Sequence, residues 1–272
     1  MESIIVLGCF VQVKYDEEER KPRMRKKVIL IPDDNNVYIL LKSIQLRKMG
    51  FMVRSFRSEG DLMEAAVGSL PDMIFLDNGI TGMDCARALR DLKGTPATSG
   101  VPVAVISSDP SEADHEECLA LGAESYIMMP VSIREMHEVL QRCLYMPLGY
   151  RRDHLRVCFS GRVMVAHEGI GEWLYSETLS EKGIFIRKKY PYPVGSEVVV
   201  SIPLMEEKSI SVEGRVIYIN QGSSDESGGP SGMAIEFSDR NLASLIVVSD
   251  YVEGLLMIPS IVNMQNSISC GL

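Results

Sequence analysis

Two groups of residues in this sequence have the types and spacing to do chemistry. The first is acidic: Asp33-Asp34 close one short apolar run, Asp77 closes another, and Ser107 closes a third. Carboxylates crowded at one rim repel each other, so three of them call for a cation, and oxygen ligands with room for water and phosphate suit Mg²⁺. With that charge screened, one carboxylate can attack a phosphoryl donor and become an aspartyl phosphate. The second group is basic: Arg151, Arg152 and Arg156 stand in the spacing RRxxxR. Planar guanidinium groups grip phosphate oxygens in pairs and stack on purine faces, which suits a nucleotide offering both. Downstream, Thr178-Leu179-Ser180-Glu181-Lys182-Gly183 sets a hydroxyl and a glycine in a tight turn, where backbone amides and Ser180 could read a base edge or a phosphate.

The elements that must position these groups follow from hydrophobic period. From Val28 to Leu144 short apolar runs alternate with helical segments, the pattern of a parallel α/β sheet. Val28–Ile31, Phe51–Phe56, Met73–Leu76, Val103–Ile106 and Ser125–Met128 read as five strands. Val37, Leu40, Leu41 and Ile44 form one helical stripe before Gly50, and Leu62, Met63, Ala66, Val67 and Leu70 form another. Ser111 with Asp114, and Ser132 with Glu135, have capping-box spacing ahead of two further helices. Five strands and five helices in this span fit a flavodoxin-like doubly wound domain, in which functional groups gather where strands end. After Pro147 and Gly149 the pattern changes to six β-rich runs without intervening helices: Val157–Val165, Trp173–Tyr175, Gly183–Arg187, Glu197–Ile202, Ile210–Ile219 and Met233–Phe237. These predict a small antiparallel barrel, with a helix over Asn241–Leu256 carrying Leu242, Leu245, Ile246 and Ser249 at helical spacing. Gln221–Gly232 reads as a loop, and Trp173 as a core residue.

Composition bounds the rest. A length of 272 residues against ~150 per domain suggests two units. The boundaries read as a leader over 1–27, or an upstream extension should translation begin at Met24, then domains over 28–146 and 152–257, a linker over 147–151 and a tail over 258–272. Hydrophobic residues at 46%, charged residues at 24% and a mean hydropathy of +0.05 lie in the globular range. The 28 basic and 37 acidic side chains give a net charge of −9, which disfavours general affinity for long nucleic acids. Six cysteines occur singly with no CxxC pair and read as reduced thiols of a cytoplasmic chain. The first ten residues are apolar but carry Glu2 where an export signal needs lysine or arginine, and no apolar run approaches the ~20 residues of a membrane span. The four histidines are isolated, and no nucleophile sits in a triad context, so no substrate-turnover site is expected.

Val28 to Leu144 resembles the receiver domain of response regulators. The matching marks are Asp33-Asp34, Leu76-Asp77 followed by Gly82-Met83-Asp84, Ser107 after Pro-Val-Ala-Val-Ile, and Gly122-Ala123 leading to Tyr126 and Pro130. The resemblance implies that Asp77 is the phosphoacceptor and that Asp33 and chiefly Asp34 hold Mg²⁺ with Asp77 and the Gly79 carbonyl. It also makes Ser107 and Tyr126 the switch pair. Receivers usually place a lysine before the final proline; here that residue is Met129, whose thioether cannot stabilise an added dianion.

Residues 150 to about 256 resemble the PilZ domain, a cyclic di-GMP receptor. The likeness rests on Arg152 with Arg156 as RxxxR, on Thr178–Gly183 in place of [DN]xSxxG, and on Gly232–Phe237 as the closing strand. It implies a six-stranded barrel in which the arginines grip phosphates and stack on guanine while Ser180, Thr178 and Gly183 hold the other side. Arg151 fits members that bind a stacked pair of ligand molecules. Thr178 replaces a side chain that would bond a guanine, a loss of about 1–3 kcal/mol. Together the two resemblances imply a non-enzymatic, cytoplasmic two-component protein that binds Mg²⁺ and cyclic di-GMP. Its partners would be a histidine kinase and an unidentified downstream protein, with a receiver homodimer left open. A scaffold acting by protein contacts alone is the alternative.

Overall fold

The computed structural model of the chain describes residues 26–33, 37–78, 84–108, 111–145, 153–204, 208–221 and 230–257. Five strands, β1 (Val28–Pro32), β2 (Met52–Phe56), β3 (Met73–Asp77), β4 (Val103–Ser107) and β5 (Ser125–Met128), form a sheet in the order β2-β1-β3-β4-β5. All pairings are parallel. The helices are α1 (Val37–Lys48), α2 (Glu59–Ser69), α3 (Cys85–Gly94), α4 (Glu112–Ala120) and α5 (Ile133–Leu144). Strands β1, β3 and β4 are buried throughout because helices cover both faces, which is why their sequences run apolar without alternation. Ile29 and Ile31 join Leu46, Phe75, Met136 and Leu140 on one face, and Leu30 joins Leu62, Leu76 and Leu89 on the other. Ser132 and Glu135 form a full reciprocal capping box at α5, and Ser111 accepts from Asp114 N at α4.

The second unit contains β6 (Arg156–Cys158), β7 (Arg162–His167), β8 (Ile170–Ser180), β9 (Gly183–Arg187), β10 (Glu197–Pro203), β11 (Ser209–Asn220), β12 (Gly232–Phe237) and α6 (Leu242–Met257). Six strands run β8-β7-β10-β11-β12-β9, and β8 pairs with β9 to close the barrel. The expected single strand Val157–Val165 is two. β6 and β7 lie in succession along one edge of β8, separated where the Ser176 hydroxyl donates to the Phe159 and Gly161 carbonyls. Valines and isoleucines of alternate positions, among them Val163, Val165, Val198, Val200 and Ile202, fill the barrel, and Val248, Val252 and Leu256 of α6 pack against that core.

Three helical stripes and one aromatic depart from expectation. Val37 and Leu40 are 68% and 60% exposed, while α1 buries Ile39, Lys42, Gln45 and Leu46. Val67 of α2, Leu70 at its C-cap, and Leu242 and Ile246 of α6 are likewise exposed. Each of these helices is apolar on more than one side, so period alone does not say which side faces a neighbour. Trp173 is 53% exposed on the outer wall beneath the Arg162 guanidinium, 5.4 Å from its ring. Residues 1–25 of the leader, the linker and the tail, with most of the Gln221–Gly232 loop, lie outside the described residues. Among the described residues no helix is long and apolar enough to cross a membrane.

The two units touch through α1, α5 and α6. Lys48 Nζ donates to the Leu255 carbonyl at 2.6 Å, and Ile133 enters the barrel core cluster. Arg134 bonds Glu253 at 2.8 Å and Glu181 at 3.1 Å. Burial alone would raise the Glu181 carboxyl, but bonds from Ser249 and Leu155 N and the Arg134 charge outweigh it, so its pKa lies below the ordinary value. A carboxylate depressed in this way stabilises the fold fully above its unfolded value of about 4.3, and that contribution is lost as pH falls through the folded value. In thermal scans from about pH 7 to about pH 3, the midpoint of the wild type is therefore expected to fall more steeply than that of Glu181→Gln. Parallel profiles would contradict this assignment.

Candidate functional site

At the carboxyl edge of the parallel sheet, β1 delivers Asp33, β3 delivers Asp77 and β4 delivers Ser107. Asp77 and Ser107 are each 1% exposed, so charge placed there is shielded from water and must be compensated locally. Asp33 N donates to the Phe56 carbonyl at 2.8 Å, and its carboxylate accepts from Arg57 Nε at 3.2 Å. Tyr126 lies on β5 opposite Val105, its ring 5.0 Å from that of His115, and its buried hydroxyl has no hydrogen-bond partner among the described residues. Asp34 and Gly79, expected at the metal, lie outside the described residues. Among the described residues no three acidic, histidine or cysteine side chains converge on a metal position.

Two residues at this edge escaped the sequence reading. Met129 packs toward the core, and the loop that follows it is instead held from α1. Tyr38 Oη accepts from Val131 N at 2.5 Å, and Lys42 Nζ donates to the Val131 carbonyl at 2.5 Å and to Gln45 Oε1 at 3.1 Å. Burial raises the Tyr38 phenol, with the charges of Glu135 and Asp77 adding to it, which sets Tyr38 within electrostatic reach of the acid pocket. Burial lowers the Lys42 ammonium. The signal available was a tyrosine and a lysine four apart on the helix that follows the acid pair.

On the barrel, a cavity of about 540 Å³ is lined by Arg156, Thr178, Ser180 and Gly183, together with Phe185 and Tyr218. The pairings explain the convergence: Arg156 lies opposite Ser180 and Cys158 opposite Thr178 across β6 and β8, and Thr178 lies opposite Phe185 across β8 and β9. Ser180 donates to the Gly183 carbonyl at 2.9 Å, which closes the turn between β8 and β9. Gly183 is required by packing, since a Cβ there would lie 2.5 Å from the Ile235 carbonyl oxygen of β12. Tyr218 was not anticipated. The bulge between Val216 and Tyr218 leaves Ile217 and Tyr218 both half-exposed on the cavity wall, which breaks the alternation a sequence would show. Burial raises the Tyr218 phenol, with Arg156 opposing and Glu177 reinforcing the shift, so both charges act on this ring. Glu177 is paired with Arg187 at 2.5 Å. Arg151 and Arg152 lie outside the described residues.

Residues 28–141 match the family model of the response regulator receiver domain, and residues 150–254 match that of the PilZ domain. The chain joins a receiver domain to a PilZ domain. The receiver has curated relatives: the DNA-binding response regulator MtrA of Mycolicibacterium smegmatis is 29% identical over 116 residues, 42% of this chain and 48% of MtrA. The probable methanogenesis regulatory protein FilR2 of Methanothrix harundinacea is 24% identical over 134 residues, 46% of this chain and 86% of FilR2. The chain thus spans about half the length of MtrA (48%). Among solved structures, a putative response regulator from Chloroflexus aurantiacus is 21% identical with a TM-score of 0.42, covering 44% of this chain and 98% of its own. The receiver domain of the sensor histidine kinase PA1611 from Pseudomonas aeruginosa, with a magnesium ion coordinated in its active site cleft, is 24% identical with a TM-score of 0.41, over 44% of this chain and 98% of its own. Receiver and PilZ domains are regulatory modules, and a chain carrying both is a signalling protein.

Proposed function

We propose that the PilZ barrel binds cyclic di-GMP in the cavity beside Arg156 and that the receiver is phosphorylated on Asp77, the two signals together being relayed to a protein partner. The observation that carries the reading is the meeting of Arg156, Thr178, Ser180 and Gly183 with two aromatic rings around one cavity. The ligand offers phosphates for Arg151, Arg152 and Arg156 and guanine faces for arginine and Tyr218, so charge and stacking are matched by residue type. Ser180 and Gly183 serve by shaping the turn, and Thr178 supplies a hydroxyl at the base edge.

In the receiver, hard oxygen donors fit Mg²⁺: the carboxylates of Asp33, Asp34 and Asp77 and the Gly79 carbonyl would hold it. When bound, that ion supplies charge screening at the phosphoryl group. The Asp77 carboxylate oxygen bonds to phosphorus as the bond to the kinase's imidazole nitrogen breaks, and the imidazole leaves with the electron pair. Ser107 and Tyr126 then read the new charge. A histidine kinase is taken as the donor because receiver domains typically partner with such kinases. Nucleic acid is disfavoured as a partner by the net charge of −9.

Calorimetric titration of the full chain with cyclic di-GMP tests the barrel. Heat of binding is expected from the wild type and none from Arg152→Ala. Equal heats from both proteins, or none from the wild type, would overturn the reading.

A further inference from the structure

The turn that closes the nucleotide cavity carries a charge that the cavity does not use. Glu181 follows Ser180 and is 8% exposed. One carboxylate oxygen accepts from Leu155 N at 3.0 Å and lies 3.5 Å from His154 Nδ1, so it grips the segment that enters β6 and carries Arg156. The other accepts from Ser249 Oγ of α6 at 2.8 Å and lies 3.1 Å from an Arg134 terminal nitrogen. Arg134 belongs to α5 of the receiver, and the same nitrogen bonds Glu253 of α6 at 2.8 Å. Glu181 N also donates to the Leu155 carbonyl at 3.3 Å, so backbone and side chain hold the arm together. One buried carboxylate thus joins the motif turn, the arginine arm, the terminal helix and the receiver.

A buried carboxylate keeps its charge only while its partners stay in place, and an arm ordered before ligand arrives loses less freedom on binding. We propose that Glu181 is a positioning residue that ties the arginine arm to receiver helix α5 through Arg134, so that the placement of α5 sets how tightly the barrel holds cyclic di-GMP. The inference rests on the nucleotide reading above and extends it, because it makes a receiver residue part of the affinity of a site on the other domain. Coupling between sites is reciprocal, so nucleotide binding would bias α5 in return.

The test uses the full chain in three forms, wild type, Arg134→Ala and Arg134→Lys, with cyclic di-GMP titration and amide hydrogen exchange of residues 153–157. Arg134 is half-exposed, so its removal leaves the barrel core intact, and an unchanged circular dichroism spectrum checks this. Arg134→Ala is expected to weaken binding by about threefold to tenfold and to speed exchange in the arm, with Arg134→Lys restoring most of both. Wild-type binding matched by Arg134→Ala, with arm exchange unchanged, would overturn the inference and leave the nucleotide reading standing. A wild type that takes up no nucleotide would overturn that reading. Arm exchange would then decide the tie itself, faster exchange in Arg134→Ala upholding it and equal exchange overturning it.

Discussion

Gly183→Ala should lower the thermal midpoint of the barrel by about 10 °C, although it removes no group that would contact a nucleotide. The added methyl would sit 2.5 Å from the Ile235 carbonyl oxygen, with the Ile235 carbonyl carbon and Glu236 Cα at 3.5 and 3.6 Å. These are backbone atoms of β12, paired to β9 through Ile235↔Ile184 and Glu236↔Gly183, so they cannot turn aside as a side-chain tip could. Overpacking of this kind costs about 1–3 kcal/mol, and the fixed obstacle puts this case at the upper end. Gly254→Ala serves as the control. Among the described residues nothing lies within 4 Å of its added methyl, and within α6 alanine is favoured over glycine by about 0.5–1 kcal/mol, so the midpoint should rise slightly. Equal midpoints for the two variants in differential scanning calorimetry would refute the packing role of Gly183.

Arg156→Ala should weaken cyclic di-GMP binding by about tenfold to a hundredfold, since a charged hydrogen bond is worth about 1.5–3 kcal/mol. Arg156 lies on the cavity wall, its charge acts on the Tyr218 ring, and its strand position opposite Ser180 fixes it at the motif turn. The loss should appear with little change in stability, because the side chain is exposed and outside the barrel core. Part of the affinity should also fade with added salt in the wild type and fade less in the variant, as expected when one phosphate contact is removed. Titration calorimetry at two salt concentrations reads both effects. An affinity unchanged by the substitution would exclude Arg156 from the site.

The strands of both units and their order along the chain were legible because their β-branched runs are short and bounded by turn residues, and those of the barrel alternate, whereas the helical runs are longer. Asp77 and Ser107 could be placed because a parallel sheet sends its strand ends to one edge. Helix faces were less legible. Val37 and Leu40 form a good stripe, yet α1 turns Lys42 and Gln45 inward, where Lys42 finds the Val131 carbonyl and Gln45 meets Met257. Those polar partners lie far off in sequence, and a period calculation cannot see them. Glu181 was hidden for the same reason. It occupies a variable position of the Thr178–Gly183 motif, and its partners are distant in sequence: Leu155 and Ser249 meet it within the barrel unit, and Arg134 reaches it from the receiver. Tyr218 was masked by a bulge and Trp173 by the habit of assigning a large aromatic to a core.

The most direct test of the central claim is a crystal structure of the full chain grown with cyclic di-GMP. The account predicts a guanine against Tyr218, phosphate oxygens within hydrogen-bond distance of the Arg156 guanidinium, and the turn from Ser180 to Gly183 forming the opposite lip. Density for the nucleotide elsewhere, or a vacant cavity with Arg156 turned onto Glu177, would contradict it.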